Sequence, residues 1–268
     1  MRQHFVLIGM LFALAGFSTA HAASHFTGKK GFVKEPQDQG EDGGLPRGSI
    51  RPSGLVPSFP GGATCPAIAS PFGSATRYDG SRRPASRYGG LHGGIDLTLD
   101  EGTPLRAIAA GRIISVGTGG QAEGIYLWLQ HAPADSGLPF WVYSKYQHLL
   151  EVPRHGVGEA VQVGQVVGLS GKTGTTGGHY GAAGYPHLHL TTFAGRSDRY
   201  EHQGSRILAQ GARFLDPVAI YVRDLNDLDE VERLSDDRKK VPIPYFAENG
   251  SIHPAGSRVV WPVSCMPR

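Results

Sequence analysis

The sequence is poor in cysteine, in charge and in long apolar runs. Its 268 residues include only two cysteines, too few for a structural zinc centre built from four thiolates. Charged residues make up 18% of the chain and the net charge is +3, with one dense basic run at residues 238–240. A net charge this small does not indicate binding to nucleic acid, so we expect no nucleic-acid partner. Beyond residue 22, no stretch is apolar enough to cross a bilayer.

The N-terminus carries the one long apolar run, at residues 5–17, followed by a small-x-small pattern that ends at Ala22. This pattern predicts a secretory signal over residues 1–22, cleaved after Ala22. The run is shorter than the roughly 20 residues of a membrane-spanning helix, and no cysteine near the cleavage site could carry a lipid. We expect an exported protein with no stable membrane anchor after cleavage. Polar, Gly- and Pro-rich residues 23–62 predict an extended or disordered leader.

Glycine and proline are abundant, with 39 and 19 residues, and 40% of the chain is hydrophobic. From residue 88 onward, short apolar runs cut by glycines predict two short strands within residues 107–117 and further strands at 125–130 and 139–147. The charged residues 224–234 predict a short helix. The fold class predicted is mainly β, a compact sandwich- or barrel-like antiparallel sheet domain with long active-site loops and few short helices.

Two histidines, His187 and His189, flank one apolar residue in a stretch rich in strand formers. Alternate residues of a strand share a face, so the two imidazoles are expected side by side. They could bind one metal together, or one could bind it while the other handles protons. The alternative is a pair of partly exposed strand histidines with no such role.

A second cluster lies about ninety positions earlier, where His92 and Asp96 are four residues apart and could share a face in an extended or a helical segment. Together with His189 they offer two imidazoles and one carboxylate. Three protein ligands with an open fourth position are typical of catalytic zinc sites. Both cysteines are distant in sequence from this cluster.

Further motifs follow one another in order between residues 70 and 217. They are Ser70-Pro71-Phe72-Gly73, the His92–Asp96 segment, residues 101–107 (Glu-Gly-Thr-Pro-Leu-Arg-Ala), Tyr146-Gln147-His148-Leu149, residues 163–168 (Val-Gly-Gln-Val-Val-Gly), Gly171-Lys172-Thr173-Gly174, His187-Leu188-His189 and Asp216-Pro217. Their order and spacing resemble the lysostaphin-type (LytM-like) zinc metallopeptidases, which cut peptide cross-links in bacterial cell walls.

The resemblance implies roles for five residues and a division of the chain. His92, Asp96 and His189 correspond to the ligands of one zinc ion per chain, and His148 and His187 to two catalytic histidines. A LytM-like domain is implied at residues 63–222, followed by a C-terminal extension at 223–268 that packs on it. Residues 132–139 lengthen a hairpin relative to the family, and we expect this insertion to reshape the substrate groove.

The function implied is that of an exported zinc endopeptidase acting on peptidoglycan stem peptides or cross-links, as a monomer, in the periplasm or after secretion. One alternative is a non-catalytic module of the same fold that binds or regulates cell-wall hydrolases. Another is a secreted zinc protease acting on proteins. Both a bond between D-alanine and a diamino acid and a glycine bridge stay open as the bond cut.

Cys65 and Cys265 form an isolated even pair, which in an oxidising compartment predicts one disulfide. Two unpaired thiols are the alternative. The bond would tie the start of the folded part to the end of the chain.

Overall fold

The architecture is built almost entirely from short strands. The computed structural model describes residues 50–175 and 184–266, and all of them belong to one compact unit. The predicted signal at residues 1–22 and the leader up to residue 49 lie outside the described residues, as do residues 176–183 with His179. The boundaries proposed for leader, domain and extension therefore stay a prediction.

The described strands are numbered in chain order. They are β1 (Val56–Ser58), β2 (Ile68–Ser70), β3 (Ile95–Thr98), β4 (Pro104–Arg106), β5 (Gly111–Thr118), β6 (Ile125–His131), β7 (Trp141–Gln147), β8 (Ala160–Val161), β9 (Val166–Leu169), β10 (His187–Gly195), β11 (Tyr200–Gln203), β12 (Arg206–Ala209), β13 (Arg213–Leu215), β14 (Lys240–Pro242), β15 (Tyr245–Ala247), β16 (Ile252–His253) and β17 (Ser264–Cys265).

The described helices are all short. Two are α-helical, α1 (Pro133–Ser136) and α2 (Asp236–Lys239). Four are 3-10 helices, at Pro60–Gly62, Tyr88–Gly90, Pro217–Tyr221 and Leu228–Arg233. No helix in the described part of the chain is long and apolar enough to cross a membrane.

An eight-stranded antiparallel sheet organises the unit, in the order β2-β3-β10-β7-β6-β5-β8, with β13 also paired to β10. Three smaller two-stranded pairs are β1-β14, β4-β9 and β11-β12, and a three-stranded sheet runs β16-β15-β17. The mainly β, mainly antiparallel prediction is confirmed, although β1-β14 and β15-β17 pair in parallel.

The two faces of the large sheet differ in chemistry because strand residues alternate. One face carries fully buried apolar side chains, among them Leu127, Leu188 and Leu190, none more than 1% exposed. Tyr146 on this face donates its hydroxyl to the Arg106 carbonyl at 2.9 Å. The opposite face carries His187, His189 and their polar neighbours, so the core lies behind the sheet and the candidate site in front of it.

The C-terminal segment lies against the core face. The Val260 amide donates to the Ile108 carbonyl at 2.8 Å, and the Arg106 amide donates to the Pro262 carbonyl at 2.7 Å. Trp261 is fully buried between these contacts. Burying one such large side chain stabilises the fold by about 1.5–3 kcal/mol, so this segment is part of the core.

The predicted disulfide between Cys65 and Cys265 is present, with the two Cα atoms 4.5 Å apart. The strand ends beside it are also hydrogen-bonded, since the Thr64 amide donates to the Met266 carbonyl at 2.8 Å. The two ends of the folded unit are therefore joined by backbone pairing as well as by sulfur.

The prediction of two strands within residues 107–117 was wrong, whereas the short helix predicted within 224–234 is present over a narrower range. Residues 107–117 hold one strand, β5, because residues 107–110 form a buried connection whose amides bond elsewhere: Ala107 donates to the Gln165 carbonyl and Ile108 to the Tyr146 hydroxyl. The apolar character of these residues reflects core packing. The helix predicted at 224–234 is the 3-10 helix Leu228–Arg233, capped by the Asp227 carboxylate.

Candidate metal centre

Three donor atoms converge at the junction of β3 and β10. Asp96 on β3 lies directly opposite His189 on β10 in the antiparallel register, and His92 lies in the loop that enters β3. His189 Nδ1 is 2.8 Å from Asp96 Oδ1, His92 Nε2 is 3.3 Å from the same oxygen, and the two nitrogens are 3.1 Å apart.

This arrangement fits a zinc ion. Ligands about 2.0–2.2 Å from a tetrahedral zinc are separated from one another by roughly 3.3–3.6 Å, so the three donors need only a small outward shift. Two imidazole nitrogens and one carboxylate oxygen are ligand types that zinc favours. His92 and Asp96 are each only 2% exposed, which shields the centre from bulk water.

Neighbouring groups orient each donor. His92 Nδ1 donates to the Pro71 carbonyl at 3.1 Å, which leaves the Nε2 lone pair facing the centre. His189 Nε2 lies 2.9 Å from the Thr191 hydroxyl, which can accept its proton and leave Nδ1 for a cation. The second Asp96 oxygen, Oδ2, lies 3.5 Å from the Arg83 guanidinium.

The Asp96 carboxylate is held in its charged form. Burial by itself raises its pKa, but attraction to His92 and hydrogen bonds with His189 and His92 outweigh burial and place the pKa well below its ordinary value. The centre therefore presents one anionic oxygen and two nitrogens, a donor set suited to a divalent cation.

His148 and His187 stand beside this centre. Their ring centroids are 4.5 Å apart, and His187 Nε2 is 4.0 Å from Asp96 Oδ1. His148 Nδ1 donates to the Thr173 carbonyl at 2.8 Å, and His187 Nδ1 donates to the Tyr185 carbonyl at 3.0 Å. In both rings the Nε2 atom is left as the basic nitrogen.

Burial lowers the pKa of both imidazoles. For His148 the nearby His187 and His189 lower it further, to well below the ordinary value. Burial is also the main cause of the lowered pKa of His187, and the charge of Asp96 acts in the opposite direction without reversing it. Both rings are therefore neutral at pH 7 and able to accept a proton. His148 also adopts a left-handed backbone conformation, with φ of +64°, which is uncommon outside glycine and typical of functional positions.

The structure adds residues that sequence reasoning missed. Tyr185 stacks on His187 with centroids 4.2 Å apart and rings 9° from parallel, and Tyr78 packs on Tyr185. Tyr185 lies two residues before His187, and this closeness in sequence could have pointed to it as a site residue. Arg83 had none, because its contact with Asp96 depends on the fold of the loop that precedes His92.

The remaining described histidines lie elsewhere. His131 is fully buried in the sheet, where Nδ1 donates to the Ala110 carbonyl at 2.7 Å and Nε2 lies 2.8 Å from the Ser144 hydroxyl. His155 pairs with Glu159 on the surface.

The inserted residues 132–139 follow His131, at one end of β6. The candidate metal centre lies near the other end of β6, where Tyr126 is opposite Gln147, so the insertion does not border it. The expectation that this insertion reshapes the substrate groove stays a prediction.

Comparison with known proteins relates the site to one family. Residues 90–199 match peptidase family M23, and all five candidate residues lie inside this segment. Lysostaphin of Staphylococcus simulans is 35% identical over 107 residues, covering 40% of this chain and 19% of its own. Glycyl-glycine endopeptidase ALE-1 of Staphylococcus capitis is 36% identical over 107 residues, covering 40% of this chain and 26% of its own. The chain thus matches less than a third of either relative.

Solved structures with similarity include the catalytic domain of lysostaphin from S. simulans, with 27% identity, a TM-score of 0.35, and coverage of 48% of this chain and 80% of that one. A zinc containing peptidase from Vibrio cholerae has 26% identity and a TM-score of 0.37. The match covers 48% of this chain and 33% of that one. The sequence matches relate residues 90–199 of this chain to peptidase family M23.

Proposed function

We propose that this protein is an exported zinc-dependent endopeptidase that hydrolyses peptide bonds of peptidoglycan stem peptides or cross-links. The observation that carries the proposal is the convergence of His92 Nε2, Asp96 Oδ1 and His189 Nδ1 within 2.8–3.3 Å of one another. The match to peptidase family M23 supports peptidase chemistry, and a relative named as a glycyl-glycine endopeptidase supports a glycine bridge as one candidate for the bond cut.

The three converging atoms would hold one zinc ion per chain. When bound, zinc supplies Lewis-acid chemistry, activating water as a nucleophile and polarising the carbonyl under attack. The ionised Asp96 offsets part of the metal charge, and the hydrogen bonds from His92 to Pro71 and from His189 to Thr191 fix the ligand rings.

His148 and His187 provide the proton transfers. Each has Nδ1 committed to a backbone carbonyl, so Nε2 is the atom that takes a proton from the attacking water. Once protonated, the same atom can donate a hydrogen bond to the developing oxyanion or pass its proton to the leaving amine. The stacked Tyr185 limits rotation of the His187 ring and so keeps Nε2 directed at the centre.

Two other functions stay possible for the same fold. A non-catalytic module would need neither the metal ligands nor the two basic histidines, yet all five are present and arranged around one point. A protease acting on proteins would use the same centre, and its substrate groove alone would differ. Export is supported by the predicted signal over residues 1–22 and by the disulfide, which suits an oxidising compartment.

Digestion of purified wall sacculi tests the proposal. The full chain, produced with its signal and recovered after export, is loaded with zinc and incubated with sacculi, and the new peptide termini are identified by mass spectrometry. We expect one class of new amino terminus, either glycine or a diamino acid. Zinc bound in equal proportion to protein with no new termini would favour the non-catalytic module, and cleavage of casein but not of sacculi would favour a general protease.

A further inference from the structure

The sheet face that carries the metal centre continues past it as a floor of polar and aromatic side chains. Thr191, two residues beyond His189 on β10, lies opposite Lys145 on β7, and Lys145 lies opposite Trp128 on β6. Residues opposite one another in a ladder share a face, so these side chains stand on the same side of the sheet as His189. A substrate that extends from the metal centre in this direction would contact these side chains.

The hairpin formed by β11 and β12 covers the floor beyond Lys145. The Trp128 indole donates to the Ser205 carbonyl at 2.9 Å, at the hairpin tip. At the hairpin's entry, the Tyr143 hydroxyl donates to the Ser197 carbonyl at 2.9 Å, and Gln130 donates to the Asp198 carbonyl at 2.7 Å. Trp128 and Tyr143 are consequently 2% and 0% exposed, although they lie on the site face.

A buried charged group joins this hairpin to the floor. Glu123, in the turn between β5 and β6, forms an ion pair with the Lys145 ammonium and accepts a hydrogen bond from the Ser205 hydroxyl. Lys145 also lies 5.1 Å from the ring of Tyr126 and 5.3 Å from that of Trp128. Lysine and glutamate are rarely buried to this degree, and a buried ion pair contributes little net stability, so a role in fixing geometry is the better explanation.

We propose that Glu123, held between Lys145 and Ser205, fixes the hairpin across the site face and closes the substrate groove on the Thr191 side of the metal centre. This inference rests on the proposed peptidase function. A strand rises about 3.3 Å per residue, so the row of Thr191, Lys145 and Trp128 that the hairpin closes lies about 7 Å beyond His189 when measured along β10. An extended peptide has the same rise, so this side has room for about two substrate residues. Glu123, Lys145 and Ser205 are thus specificity-determining residues that select substrates short on one side of the cut bond.

A peptide-length series tests the inference. Quenched-fluorescent peptides are built around the bond that sacculus digestion identifies and are extended residue by residue on one side at a time. For the wild type we expect kcat/KM to fall at least about tenfold once one side passes about two residues, because a longer chain must clash with the fixed hairpin. Extension on the other side should have little effect.

Two variants release the hairpin. The pair Glu123→Gln with Lys145→Met removes both charges together, so neither is left buried alone, and Ser205→Ala removes a single hydrogen bond with little risk to folding. We expect the pair to abolish the length limit and Ser205→Ala to weaken it, while kcat/KM for the shortest peptide stays within about threefold of wild type. Arg51→Met with Glu232→Gln, which removes an exposed ion pair of 2.8 Å, should keep the wild-type limit.

The outcomes separate the inference from the proposed function. A wild type that cleaves every length equally well, or variants that keep its length limit while folded and zinc-loaded, would overturn the role of the hairpin and leave the peptidase proposal standing. A zinc-loaded wild type that cleaves neither sacculi nor any peptide would instead refute the peptidase function itself.

Discussion

Asp96 and His189 face each other across the β3–β10 ladder, and the atoms that each offers to a metal are 2.8 Å apart. The contact is a product of strand register, since a shift of one residue would turn His189 to the core face and separate the pair. Strand register therefore fixes two of the three donors of the candidate metal centre, while His92 lies in the loop that enters β3.

Removing a ligand should remove the metal. We expect His189→Ala and Asp96→Asn to weaken zinc affinity by more than about 100-fold, because even changes outside the ligand sphere cost about 10–100-fold. Elemental analysis after zinc-replete purification measures the loss. His202→Ala, a change at an exposed strand residue, is the control and should bind zinc as the wild type does. Zinc retained by both ligand variants would show that the metal lies elsewhere.

Removing a basic histidine should leave the metal in place. His148→Ala and His187→Ala are expected to bind zinc nearly normally but to lose about 10²–10⁴-fold in turnover, the usual contribution of a positioned acid or base. Zinc content and the rate of sacculus clearance are measured on the same preparations. Full lytic activity in His148→Ala would remove that residue from the mechanism.

The disulfide should stabilise the fold without affecting the site. Cys65 and Cys265 are 200 residues apart in sequence, and a loop of that length corresponds to about 5 kcal/mol in the chain-entropy treatment. We expect Cys65→Ser with Cys265→Ser to lower the melting temperature while zinc content and activity at moderate temperature change little, because the bond acts mainly on the unfolded chain. Loss of zinc from the folded double variant would contradict this.

His131 should make the fold sensitive to acid. Burial lowers its pKa from 6.5 to about 4 in the folded state, whereas the unfolded chain titrates near 6.5. The unfolded state therefore binds more protons than the folded state between these pH values. Neutral His131 makes its full contribution to the free energy of unfolding above pH 6.5, and this contribution is lost as the pH falls toward 4. The expected loss is about 3 kcal/mol at most.

Urea unfolding at a series of pH values measures this loss. His131→Gln keeps an amide donor and acceptor but no titrating group, so the difference between wild type and variant isolates His131 from other ionisable residues. We expect the stability difference to depend on pH only in the window between pH 6.5 and 4. A difference that is flat across this window would show that the ring is protonated, or accessible, in the folded state.

The sequence predicted those features that depend on local spacing. His187 and His189 share a face because strand residues alternate, and the ladder between β3 and β10 brings Asp96 to them. The link between Glu123, Lys145 and Ser205 could not be predicted, because it joins a turn, a strand and a hairpin tip that are distant in sequence. The buried segment 107–110 was misread for a related reason: its polar partners, Gln165 and Tyr146, belong to other strands or turns.

The bond between Cys65 and Cys265 also affects what happens when another protease cuts this chain. Nearly all of the described chain lies between these two residues, so a single cut in any loop between them yields two pieces that remain joined through sulfur. The pieces would also stay held by the large sheet, because β3, from the first half of the chain, pairs with β10, from the second half. A nicked molecule should therefore migrate as intact protein until it is reduced, and proteolytic nicking need not inactivate it.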